Sequence, residues 1–212
     1  SVAGQGQGGT VTVRGLAGPE TSAQEITLSD NSQILTVTSN FDPNLPGEGA
    51  AGSIVLATGN LNLSGISKIS AETLFSRGHA GNIDVTAGGQ VTIESNSEVS
   101  SRSISGVDPA FQYGNAGQVT LRAPTVTVTG GGFISTSTET NGAAGAIAFN
   151  VGTLNLSADG YIISGSVRGS EGLTPTGPAG NVTVQGLASP AQSLLIDGSG
   201  SGIFTDTQGT GA

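Results

Sequence analysis

The sequence predicts an all-β fold, a parallel β-helix (solenoid) of about six coils with three short strands each, open at both ends. Three observations predict it. A Gly-x-(Gly/Ala)-Gly signal followed by an alternating apolar strand occurs six times in 212 residues. Three columns of aliphatic residues recur at matching places in the copies. The step from the second column to the third is eight residues in five copies and nine in the last. Units that cannot bury an apolar face alone must stack on their neighbours, and a recurring period of this kind marks such a chain.

The copies read GQGG-TVTV, GAAG-SIVL, GHAG-NIDV, GNAG-QVTL, GAAG-AIAF and GPAG-NVTV, and coils are expected to start near residues 9, 52, 81, 117, 145 and 180 of one repeat segment, 1–212. The first strand supplies Val11, Ile54, Ile83, Val119, Ile147 and Val182. The second supplies Ile26, Leu61, Val91, Val126, Leu154 and Leu194, each followed two residues later by a further aliphatic. The third supplies Ile34, Ile69, Val99, Ile134, Ile162 and Ile203. Alternation with period two places these side chains on one buried face, so the interior is expected to be aliphatic, with Ser, Thr and Asn outside.

Between the second and third columns lie DNS, GIS, SNS, GGG and ADG, residues that accept bends, and the constant step predicts a turn of fixed shape. Five prolines (Pro43, Pro46, Pro109, Pro175, Pro178) fall in the long connections after the first, third and fifth copies. Pro19, Pro124 and Pro190 fall between the first and second columns, so no proline is expected inside a strand.

Composition narrows the function. Six basic residues occur singly against 15 acidic ones, a net charge of −9, so no basic stripe exists for nucleic acid. No run of about 18 apolar residues is present, so membrane insertion is not expected. With no cysteine, disulfides, thiolate metal sites and Cys nucleophiles are excluded. A lone histidine, His79, occupies the variable position of a GHAG turn and cannot build a zinc site by itself. No cofactor and no metal are expected.

The copies GNAG-QVTL…TVTV-TGGGFISTST, GAAG-AIAF…TLNLS-ADGYIISGS and GPAG-NVTVQGLASPAQSLLIDGSGSGIFTDT resemble the repeats of filamentous-haemagglutinin-like large exoproteins, which leave the cell by two-partner secretion. The resemblance covers nearly the whole chain. It implies a right-handed parallel β-helical shaft, a secreted location on the bacterial cell surface, and a structural role in adhesion, aggregation or biofilm matrix. It carries no catalytic residues.

A catalytic role would need converging acids. The 15 carboxylates are scattered, and the nearest approach to a cluster is Glu94 and Glu98 near Arg102, read as a solvated turn with a screened surface pair. The alternative function is a polysaccharide-binding or polysaccharide-cleaving β-helix. Candidate partner-contact residues are Phe41, Asp42, Phe111 and Tyr113, aromatics beside Asp-Pro steps in the long connections, where rings could stack on sugars or seat a partner chain. The chain begins and ends inside turns. The expected partner is therefore itself, through tandem repeats in one chain or end-to-end coil stacking, with cell-surface or matrix polysaccharide as a second.

Overall fold

The computed structural model describes residues 6–18, 21–39, 47–104, 113–168, 174–187 and 190–208. The first copy forms β1 (Val11–Val13), β2 (Ala23–Leu28) and β3 (Gln33–Ser39), and the second forms β4 (Ile54–Leu63) and β5 (Lys68–Leu74). The third forms β6 (Ile83–Ala87), β7 (Gln90–Ile93) and β8 (Glu98–Ile104). The fourth forms β9 (Val119–Val128) and β10 (Phe133–Thr138), and the fifth β11 (Ile147–Ser157) and β12 (Tyr161–Ser166). The sixth forms β13 (Val182–Gln185), β14 (Ser193–Asp197) and β15 (Gly202–Thr207).

Every ladder is parallel. One sheet of nine strands runs β1-β4-β6-β9-β11-β13, with β2 on β4, β14 on β11, and β7 on both β4 and β9. A separate sheet of six strands runs β3-β5-β8-β10-β12-β15. These pairings correct the expected right-handed parallel β-helix of six three-stranded coils. The strands sort into two sheets rather than three, and β4, β6, β9 and β7 pair in a closed circuit of four. In the second, fourth and fifth copies the two expected strands are one strand of ten or eleven residues.

The fusion has a physical cause. Ile54 and Leu61 are both fully buried although they are an odd number of positions apart, so the alternation changes phase inside β4. The phase change shows in the register: Ala23 pairs with Thr58 and Glu25 with Asn60, and the residues between are skipped. In β9 and β11 the skipped pair is Pro124 and Gly152. Pro124 therefore lies inside a strand, contrary to expectation, and is tolerated because the ladder asks nothing of its missing N–H. In the third copy Gly88 and Gly89 separate β6 from β7.

The apolar columns meet in register. Val11 pairs with Ile54, Ile54 with Ile83, Ile83 with Val119, Val119 with Ile147 and Ile147 with Val182. Ile54, Leu61, Leu63, Ile69, Ile83, Ile93, Leu121, Ile134, Phe149 and Leu154 are fully buried in a single core between the sheets. Burial of each such side chain contributes on the order of 1.5–3 kcal/mol.

The interior is less aliphatic than expected, because Ser and Thr of the six-stranded sheet point into it opposite the Gly-x-x-Gly turns. Ser101 Oγ donates to the Gly81 carbonyl (2.9 Å) and accepts the Gly117 N–H (2.8 Å), linking two successive turns. Ser164 Oγ donates to the Gly145 carbonyl (2.7 Å) and accepts the Gly180 N–H (2.9 Å), and Thr136 Oγ1 also donates to the Gly145 carbonyl (2.6 Å). These bonds satisfy backbone groups that the turns would otherwise leave buried and unpaired.

The Gly requirement of those turns is steric. The turns stack so closely that a Cβ on Gly81 would run into the Gly52 carbonyl, one on Gly117 into that of Gly81, and one on Gly145 into that of Gly117. The stacking also forms its own ladder. Ala51 N–H donates to the His79 carbonyl (2.9 Å), Ala80 to Asn115 (2.9 Å), Ala116 to Ala143 (3.0 Å) and Ala144 to Pro178 (3.0 Å).

The constant eight-residue step is a pair of consecutive left-handed residues: Asp30-Asn31, Gly65-Ile66, Ser95-Asn96, Gly130-Gly131 and Ala158-Asp159. Turns of adjacent copies bond to each other, as in Asn96 N–H to the Gly130 carbonyl at 3.0 Å. Ile66 departs from this chemistry. It holds φ 64° with a β-branched, 64% exposed side chain where the equivalents are Asn, Gly and Asp. That conformation costs a β-branched residue roughly 1–2 kcal/mol. Ile66→Asn is therefore expected to stabilise the fold by about 1 kcal/mol, read as a rise in the urea midpoint at unchanged slope; a fall would show that Ile66 has a contact that outweighs the strain.

Candidate functional site

Residues that alternate with the core column of the six-stranded sheet lie on its other face. There the register sets Lys68 beside Glu98, Ser70 beside Ser100 and Glu72 beside Arg102. Each pair brings opposite charges or two hydroxyls together on neighbouring parallel strands, so four charges and two serines form a compact array.

Lys68 Nζ lies 2.7 Å from Glu98 Oε1 and 3.7 Å from Glu72 Oε1. Arg102 Nη2 lies 2.8 Å from Glu72 Oε1 and 3.9 Å from Glu98 Oε1. In the centre Ser70 Oγ donates to Glu72 Oε1 at 2.6 Å, and the Ser70 and Ser100 hydroxyls are 3.0 Å apart. The carboxylates are buried, Glu72 to 8% exposure and Glu98 to 7%, while the cation side chains lie across them and keep 27% of their surface. Burial alone would raise the Glu72 carboxyl, but Arg102, the Ser70 hydrogen bond and Lys68 outweigh it and hold the group below its ordinary range. Burial likewise opposes the charge of Arg102, and Glu72, Glu98 and Glu139 override it.

The row that holds Lys68 and Glu98 continues into aromatics. Phe133 is the register partner of Glu98 on one side and of Tyr161 on the other. The two rings are stacked, 5.2 Å between centroids and 4° between planes. Burial, and then the Glu98 charge, raise the Tyr161 phenol above its ordinary range. Beyond Tyr161 the row reaches Gly202, and a Cβ there would run into the Phe204 ring, which therefore covers that position and is itself 46% exposed.

Of the residues singled out from sequence, Phe41, Asp42 and Phe111 lie outside the described residues. Tyr113 is described and buried, and its backbone N–H donates to Asn141 Oδ1 at 3.0 Å. Glu98 and Arg102 do come together, but Glu94 is not part of the array, which instead draws Lys68 and Glu72 from the preceding copy. The reading as a screened surface pair is corrected accordingly: the carboxylates are buried and bridged on two strands. A sequence signal for this existed. Aligning Ile69 with Val99 also aligns Lys68 with Glu98 and Glu72 with Arg102. Phe133, Tyr161 and Phe204 were missed because the alternation places them opposite the core without saying that they gather.

His79 has a structural task in its turn. Its Nδ1 accepts the Asn115 N–H (2.9 Å), and Asn115 Oδ1 in turn accepts the Ala143 N–H (2.9 Å), a side-chain ladder beside the backbone one. Among the described residues no group of three or more His, Asp or Glu could hold a metal ion. No helix of the described residues is long and apolar enough to cross a membrane. No family model, no curated protein and no solved structure matches the chain.

Proposed function

We propose that this chain is a structural and adhesive segment of a secreted, bacterial cell-surface fibre protein that lengthens by adding repeats of its own kind. The supporting observation is the unbroken register. Each copy pairs in parallel with the next through both sheets, and the side chains of one column superpose on those of the next. Such a surface accepts one further copy as readily as the last, because the ladder and the apolar column continue without new chemistry.

The outer strands support self-pairing as the growth step. Leu194 and Ile196 on β14 are 49% and 45% exposed, whereas their register partners Leu154 and Leu156 are fully buried. At the other side Val11, Val13 and Ile34 are only partly buried against the core. A second copy, or a further repeat of the same chain, would cover both faces and pair the open strand edges.

Analytical ultracentrifugation over a concentration series tests this. The expected result is concentration-dependent growth into elongated species, suppressed by the double variant Leu194→Lys, Ile196→Lys. A single compact monomer at every concentration would sink the proposal for the chain as a self-pairing unit.

A further inference from the structure

The outward face of the six-stranded sheet carries charged and aromatic side chains that link neighbouring copies and stay partly exposed. We propose that this face binds a neutral, extended, β-linked glycan, laid across the strands along the row Glu98, Phe133, Tyr161 and Phe204. The site lies on the outward face of the sheet, and its Phe204 end is on the outer strand β15.

The rings supply the apolar contact. Phe133 and Tyr161 are parallel with centroids 5.2 Å apart, wider than direct face-to-face contact at about 3.5–4 Å, and both residues are partly exposed. Phe204 extends the aromatic surface over Gly202. A pyranose has a C–H face suited to such rings and a rim of hydroxyls that needs hydrogen-bonding partners. Those partners stand at the same end of the row: Lys68 and Arg102, whose side chains keep part of their surface, lie 2.7 and 3.9 Å from the buried Glu98 that adjoins Phe133 in register. The charges hold one another in place, so a hydroxyl would meet groups already ordered.

Charge selects among glycans. The array holds two cations and two anions, and the chain as a whole carries −9, so a polyanionic chain gains no net attraction and meets a repulsive field. A peptide strand would add to a sheet edge, not to a face. The strands repeat at roughly 4.8 Å, close to the advance of one hexose in an extended β-linked chain, so successive sugars would meet successive strands.

Native electrophoresis through gels containing hydroxyethyl cellulose tests the site, with the Leu194→Lys, Ile196→Lys background used in parallel so that self-pairing cannot mimic binding. The expected result is retardation of the chain, weakened about tenfold in the double variant Tyr161→Leu, Phe204→Leu, which keeps apolar volume and removes the aromatic faces. Leu35→Ser, on the same face at its far end, should leave the retardation unchanged. A purely structural role for the rings would lower the thermal midpoint of the leucine variant without altering its retardation. Absence of retardation in the unsubstituted chain, equal retardation in the leucine variant, or stronger retardation by heparin than by hydroxyethyl cellulose would each overturn the proposal. So would an aromatic-dependent dimer forming on this face without glycan.

Discussion

Gly145→Ala is expected to destabilise the fold by about 3 kcal/mol or more. The new Cβ would meet the Gly117 carbonyl, which is backbone and cannot swing aside as a side chain would. Relief requires the turns of the fourth and fifth copies to separate. Separation would stretch the Ala116 N–H bond to the Ala143 carbonyl and disturb the Thr136 and Ser164 hydroxyls bound to the Gly145 carbonyl. The internal control is Gly9→Ala, the same place in the first copy, where a Cβ meets nothing within 4 Å. That variant should unfold within about 0.5 kcal/mol of the parent. Urea unfolding followed by circular dichroism measures both, and equal losses at the two positions would refute the steric account.

Arg102→Ala should cost about 2–3 kcal/mol near neutral pH, because it leaves the buried Glu72 carboxylate with Lys68 at 3.7 Å as its remaining cation in the array. The pH dependence has a definite sign. Glu72 is held below its ordinary range in the folded protein, so it contributes stability that is full above the unfolded carboxyl value. That contribution is lost as pH falls through the depressed folded value. The stability gap between parent and variant should therefore be widest near neutrality and close in acid. A gap independent of pH would mean that Arg102 contributes through packing of its stem alone. The double variant Glu72→Gln, Arg102→Gln should recover part of the loss, since it removes the uncompensated charge.

Much of the architecture was legible because it is local or periodic. Val11, Ile54, Ile83, Val119, Ile147 and Val182 could be aligned from the Gly-x-x-Gly signals alone, and the structure pairs them in that register. The bend residues DNS, SNS, GGG and ADG announced the turn that now shows paired left-handed residues. Two features were not legible. Leu61 follows Ile54 with the wrong parity for a straight strand, and nothing in Ala57-Thr58-Gly59-Asn60 says that the chain changes phase there without leaving the sheet. The inward turn of Ser101, Thr136 and Ser164 was also hidden, since a hydroxyl in an alternating pattern reads as solvent-facing until the carbonyl it serves is placed opposite.

The ionic and aromatic row was legible in part. Glu98 and Arg102 are four residues apart and visible together, while Lys68 and Glu72 sit thirty residues earlier and join them only through strand pairing. Phe133 and Tyr161 likewise belong to different copies and meet only as register partners.

By itself, then, the sequence determined that the chain is all-β, which aliphatic residues align in columns, and where it must turn, because alternation and glycine chemistry act within a few residues. Only the tertiary structure decided that the strands form two sheets rather than three coil faces, and that four charges and three rings share one surface. Those outcomes depend on which strands lie side by side, and that is a property of pairing between copies about thirty residues apart, which no local pattern encodes.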